Sequence, residues 1–168
     1  INAIVAVGMT FVIISGGIDL SVGSVLALSG IALGSALQAG AAVPVAIALA
    51  LAVGLGCGLV NGVLVTFGRL PPFIATLGMM SVARGAALML AEERPISGFD
   101  DGFRVLATGR VLMMQAPVII AGLIYVLAHF VLGHTVFGRA AYAIGGNEEA
   151  ARLSGVHVRF HKTAIYGV

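Results

Sequence analysis

Asp19 is the first acidic residue of the chain, and the next does not come until Glu92. It sits in Gly16-Gly17-Ile18-Asp19-Leu20-Ser21, between two stretches of aliphatic and small residues. A lone carboxylate in such surroundings can take up a proton or cation, pair with a guanidinium, or cap a helix. Arg84 is the base that matches it, eleven residues into the apolar stretch 73–91. Either charge costs about 2.5–3.5 kcal/mol at the centre of a bilayer. Pairing Asp19 with Arg84 removes that cost, and for Arg84 separate pairing with backbone carbonyls or snorkelling to a surface does the same. The two glycines make a cheap helix break, and Asp19 or Ser21 can cap the helix resuming at Val22. Two geometries remain open: a helix broken at 16–21 inside a membrane, or a short cytoplasmic turn between two spans.

A second group lies near the carboxyl end. Asn147 is a good N-cap, and Glu148 and Glu149 occupy the first turn that would follow it, where the helix dipole favours negative charge. Ala150 and Ala151 favour helix, Arg152 stands near its end, and Gly155 can close it in a left-handed cap. Such a helix is barely two turns long and needs a partner surface. It suits docking into a groove on another protein.

Other chemistry is thinly represented. His157 and His161 have a helical metal-ligand spacing but no acid or third ligand beside them, so the expectation is basic residues near lipid headgroups and no metal site. There is no nucleophile elbow, phosphate loop or His-Glu-x-x-His, so no catalytic set is predicted. Cys57 is alone in an apolar run and reads as a packing residue. The basic residues are unclustered and aromatics sparse, which argues against nucleic-acid binding.

The elements that position these residues follow from composition. Hydrophobic residues make up 60% of the chain and charged ones 10%, against about 25% in soluble domains, so the chain belongs in a lipid bilayer. Apolar stretches at 1–15, 22–38, 43–66, 73–91 and 115–132 approach spanning length, and another begins near Thr163. The fold class predicted is an all-α polytopic transmembrane bundle of five to six spans, one possibly broken at 16–21. Residues 1–168 read as one domain, cut at both edges from a longer chain. The polar segment 92–114 carries three Lys/Arg and the segment 133–162 carries four, a weak vote for the second being cytoplasmic. The loop 68–72, two crossings away, would share that side. Gly54, Gly58 and Gly62 recur on one helix face, and Gly30 and Gly34 repeat the spacing, a pattern that packs helices closely.

Glu149-Ala150-Ala151-Arg152-Leu153-Ser154-Gly155 resembles the E-A-A-x-x-x-G core in permease subunits of bacterial ABC importers. The downstream I-x-L-P of the general permease pattern is missing, since Tyr166-Gly167 follows Ile165. The chain is more similar to the ribose/xylose/galactose-type branch. That likeness rests on residues 6–24 around Gly16-Gly17-Ile18-Asp19-Leu20-Ser21, on Pro72-Phe73-Ile74-Ala75-Thr76-Leu77-Gly78, and on Tyr142-Ala143-Ile144-Gly145-Gly146-Asn147. It implies a multi-pass protein of the bacterial inner membrane whose loop 134–162 couples to a cytoplasmic ATPase subunit. ATP and Mg would sit on that ATPase, with no cofactor on this chain. A second permease subunit and a periplasmic sugar-binding protein are the other implied partners, the latter meeting the polar face at 92–114. Asp19, Ser21 and Arg84 would then be structural or pathway residues, with direct contact to sugar hydroxyls a minor alternative. A secondary transporter using Asp19 as an ion or proton site is the main rival. An intramembrane enzyme lacks the paired acids or nucleophile set it would need.

Overall fold

The computed structural model describes residues 2–91, 109–111 and 114–168. Residues 92–108, with Glu92, Glu93, Arg94, Asp100, Asp101 and Arg104, lie outside them, and so does most of the polar face expected there. Eight helices are present among the described residues: α1 Asn2–Ile14, α2 Val22–Gln38, α3 Val43–Thr66, α4 Pro72–Leu90, α5 Ala116–His134, α6 Val136–Gly146, α7 Glu148–Leu153 and α8 Val158–Tyr166. A two-residue antiparallel ladder, β1 Arg110–Val111 with β2 Met114–Gln115, precedes α5. The architecture is an all-α membrane bundle.

Helices α3, α4 and α5 are long and apolar enough to cross a membrane, and α1 and α2 are shorter apolar helices. Each of the three long ones has proline in its first turn, where the missing N–H would have had no helical partner. None of the α5 residues is buried, and large apolar side chains such as Leu123, Val126 and Leu127 point outward. In water that would be a liability; in lipid it is the expected outer surface.

Register follows from contacts. Ser21 meets Asn61, while Ser29 stands 3.4 Å from where a Gly54 Cβ would lie, so α2 runs antiparallel to α3. Tyr166 meets Gly58 and Thr163 meets Gly62, so α8 is antiparallel to α3 as well. Gly8 of α1 faces Val168, and Val12 faces Gly17. The chain therefore reverses over residues 15–21: α1 descends toward the end bearing α7, and α2 climbs away from it. The segment is a reversal between two helices that run in opposite directions, with no helix continuing through it. It is recessed, since Asn61 lies five residues, or about 7–8 Å, inside the end of α3. The Arg159 guanidinium lies 5.6 Å from the Phe67 ring centroid, so the loop after α3 and the loop before α8 share one end, as their spacing predicted.

Two elements differ from expectation. Segment 133–146, read as part of a polar loop, contains α6, and Gly145-Gly146 end that helix without leaving helical structure. Its buried face is Gly138, Ala140, Ala141 and Ile144, too small to stand out as an apolar stripe. Helix α8 begins at Val158, five residues before the apolar stretch foreseen at Thr163, because Val158 reaches inward while Arg159 and Phe160 stay outside.

Candidate functional site

Helix α7 is specified almost wholly by its two ends. The Asn147 side-chain oxygen accepts from the Ala150 N–H at 2.9 Å, with Asn147 itself extended at φ −159 and ψ 103. At the other end Gly155 has φ +86, its N–H donates to the Arg152 carbonyl, and the Val156 N–H donates to the Ala151 carbonyl. This is a Schellman closure with Gly155 at the left-handed position. Its usual apolar contact is present too: Ala151 is buried with Ile144 and Val158, and Val156 packs against them. Ala151 is thus the one α7 side chain turned inward, while Glu148, Glu149, Ala150, Arg152 and Leu153 are exposed.

Charge holds the helix to its neighbours. Glu149 pairs with Arg152 one turn on, an exposed contact worth a few tenths of a kcal/mol. Glu148 accepts from the Lys162 ammonium at 2.9 Å, an exposed bond that links α7 to α8. Leu153, 80% exposed, and Phe160, 68% exposed, add bare apolar groups to this end. Capped at both ends, α7 thus presents charged and apolar side chains together on its outer face.

The second cluster is the Asp19 turn. Asp19 Oδ1 accepts from the Ser21 N–H at 2.7 Å and from the Ser21 hydroxyl at 2.6 Å. Asp19 therefore closes an Asx-turn just ahead of α2, and Ser21, at the N-cap position, makes no side-chain cap bond of its own. Ser21 Oγ in turn accepts from Asn61 Nδ2 at 3.0 Å. The proton order is set by the carboxylate: amide to hydroxyl to Asp19. Asn61 is fully buried, and its Oδ1 has no partner among the described residues. Above the turn, the Ile18 carbonyl is approached by the Thr76 hydroxyl at 3.5 Å and the Tyr166 hydroxyl at 3.4 Å. Asp19 and Ser21 line one end of a cavity of about 890 Å³ whose walls are otherwise mostly apolar, Val25, Leu26 and Gly30 among them.

Arg84 takes no part. It is exposed on α4, beside the buried Ala83 and Ala87, and no ion pair joins it to Asp19 among the described residues. The Ser21 amide and hydroxyl both donate to Asp19 Oδ1, with Asn61 bonded to the same hydroxyl, so the carboxylate has local partners in place of the ion pair weighed above. Exchanging the two charges should therefore fail as a rescue. A full-length protein carrying Asp19→Arg and Arg84→Asp is expected to reach membranes no better than Asp19→Arg alone. Losing two hydrogen bonds to a charged group costs about 3 kcal/mol or more, which Arg84 cannot return. Return to wild-type amounts on quantitative immunoblots of membrane fractions would reinstate the pair.

The glycine stripe is divided. A Cβ on Gly58 would collide with the Tyr166 carbonyl oxygen, and one on Gly62 would come 2.7 Å from Thr163 Cα. Gly54 is not needed for close approach, its Cβ position being 3.4 Å from Ser29 Oγ. Sequence reasoning missed Asn61, Thr76, Tyr166 and Lys162. Asn61 had a usable signal, as the single amide within 43–66, where an Asn side chain must find a partner on another helix. His161 Nδ1 sits 3.0 Å from the His157 carbonyl within its own helix, and no group of three metal-ligating side chains occurs among the described residues.

The ribose import permease protein RbsC of Bacillus subtilis (strain 168) is 44% identical over 170 residues, covering 100% of this chain and 53% of its own length. The protein of the same name in Escherichia coli (strain K12) is 45% identical over 186 residues, again with 100% and 54% covered. The galactofuranose transporter permease protein YtfT of Escherichia coli (strain K12) is 37% identical over 157 residues, with 94% and 46% covered. The chain spans about half the length of the curated relatives it matches. No solved structure matches it. All of residues 1–168 match one family, and the chain belongs to it: the permease components described as branched-chain amino acid transport system / permease component.

Proposed function

We propose that this chain is the transmembrane permease part of an ATP-driven importer of a monosaccharide such as ribose or a similar sugar. Substrate arrives from a periplasmic binding protein, and a separate cytoplasmic ATPase docks on α7; ATP and Mg bind that ATPase. A second permease subunit, identical or not, completes the pathway. The chain itself performs no bond chemistry: it is a conduit and a lever in the bacterial inner membrane. The observation that carries this reading is α7, a six-residue helix closed by Asn147 and Gly155 and pinned by Lys162, with its outer face bare. A helix this short has little stability of its own, so caps at both ends serve to hold its shape for a partner.

The full-length permease, reconstituted in liposomes with its ATPase and binding protein, is expected to take up radiolabelled ribose only when ATP is supplied. Uptake should fall to background when the ATPase's phosphate-loop lysine is replaced. Uptake driven by an ion gradient without ATP would overturn the reading in favour of an ion-coupled carrier. Uptake of leucine in place of ribose would keep the machine and overturn the substrate class.

A further inference from the structure

The turn at 15–21 is gripped from two sides by elements that run on into α7. On one side Gly145, two residues before the Asn147 cap, lies against the last turn of α1. A Cβ there would collide with the Ile14 carbonyl oxygen and stand 3.3 Å from Ser15 Cα. Gly16, at φ +75, faces the Cα of Gly145. On the other side, buried Tyr166 ends α8 and directs its hydroxyl at the turn. That hydroxyl makes a long hydrogen bond of 3.4 Å to the Ile18 carbonyl, and lies 2.6 Å from where a Gly17 Cβ would stand. The Glu148 bond to Lys162 fastens this second arm to α7 as well. What the two arms hold is the segment bearing Asp19 and Ser21, the polar end of the cavity.

Contacts of this kind leave no slack. Backbone packs on backbone at Gly145, and at Tyr166 the hydroxyl, held out on a rigid ring, meets the turn at Ile18 and Gly17, so displacement has few rotamer changes to absorb it. The left-handed Gly16 breaks the helical hydrogen-bond ladder at the point where α1 would otherwise stiffen the turn.

Resting on the importer reading above, we infer that the 15–21 turn is the moving part of the pathway. Tyr166 is the positioning residue that carries the stroke of α7 to Asp19 and Ser21, and the Gly145 contact is the opposing jaw. The stroke shifts the polar end of the cavity and leaves its apolar walls, on α2 and α3, in register.

The test uses the full-length permease with Cys57→Ser, assembled with its ATPase in nanodiscs. Nitroxide labels are attached in separate samples at Ala143→Cys on α6 and Leu20→Cys in the turn, both exposed. Spectra are compared between nucleotide-free and ATP-bound, hydrolysis-deficient assemblies. Both labels are expected to change. Adding Tyr166→Phe should cut the Leu20 response at least threefold, spare the Ala143 response, and lower ribose taken up per ATP hydrolysed about fivefold. A changing Ala143 label beside a silent Leu20 label would overturn this inference and leave the importer reading standing. Silence at both would overturn the two together. A Tyr166→Phe protein with wild-type Leu20 response and wild-type uptake per ATP would remove Tyr166 from the route. Should that variant not reach the membrane, the wild-type label comparison still decides.

Discussion

Gly58→Ala should destabilise the full-length permease by about 3 kcal/mol, at the upper end of overpacking costs, while Gly54→Ala leaves it within about 0.5 kcal/mol of wild type. The two residues sit one turn apart on α3 and are indistinguishable in the sequence pattern. Their surroundings differ. At Gly58 the added methyl would meet the carbonyl of Tyr166, a backbone atom in a packed helix that cannot rotate aside. Alanine's better helix propensity returns only about 1 kcal/mol, so the collision wins. At Gly54 the nearest atom is the Ser29 hydroxyl at 3.4 Å, a movable group, and propensity roughly cancels crowding. Gly62→Ala should resemble Gly58→Ala, since Thr163 Cα and carbonyl oxygen are both 2.7 Å away. Thermal aggregation of detergent-solubilised permease reads the ranking directly. Equal behaviour of all three alanine variants would show that α8 does not lie on α3 as described.

The other large effect concerns transport. Asn147→Ala combined with Gly155→Ala is expected to lower ribose uptake at least tenfold, with the permease still present in the membrane. Removing the side-chain cap costs about 1 kcal/mol. Placing a Cβ at φ +86 costs about 1–2 kcal/mol more. Their sum exceeds the 1.4 kcal/mol that corresponds to a factor of ten. A six-residue helix has no reserve against such a loss, so α7 frays, while the spans that hold the protein in lipid are untouched. Uptake of radiolabelled sugar and an immunoblot of the same membranes separate the two quantities. Normal uptake by the double variant would mean that the shape of α7 is irrelevant to its role. Asn147→Asp is the control, since aspartate caps as well as asparagine does, and it should retain most of the uptake.

These two expectations draw on different kinds of information. The ends of α7 were legible in the residues themselves. A cap at Asn147 and a left-handed close at Gly155 depend on hydrogen bonds within one turn, and only a few residue types make them. The spans were legible for a similar reason. Every backbone group in lipid must be satisfied within its own segment, so length and hydropathy decide where a helix lies without reference to its neighbours. The apolar stretches 43–66, 73–91 and 115–132 accordingly fall on α3, α4 and α5, the helices long enough to cross a membrane, whereas 1–15 and 22–38 form the shorter α1 and α2.

Contacts between distant residues were not legible. Asp19 could have turned to Arg84, and charge alone favoured it. The structure turns it to Ser21 and, through Ser21, to Asn61, forty residues on from Ser21, because α2 and α3 lie antiparallel and bring those positions level. Helix α6 stayed hidden because its inner face is mostly glycine and alanine, residues that become a packing surface only when α1 and α5 close on them. Gly54 and Gly58 share one face, yet α8 crosses at only one of them. Composition and short-range pattern thus determined the long apolar helices, the membrane and the capped rod near the carboxyl end. Tertiary structure decided which polar groups meet and which glycines matter, since those depend on crossing angle and register, to which atoms far apart in the chain contribute jointly.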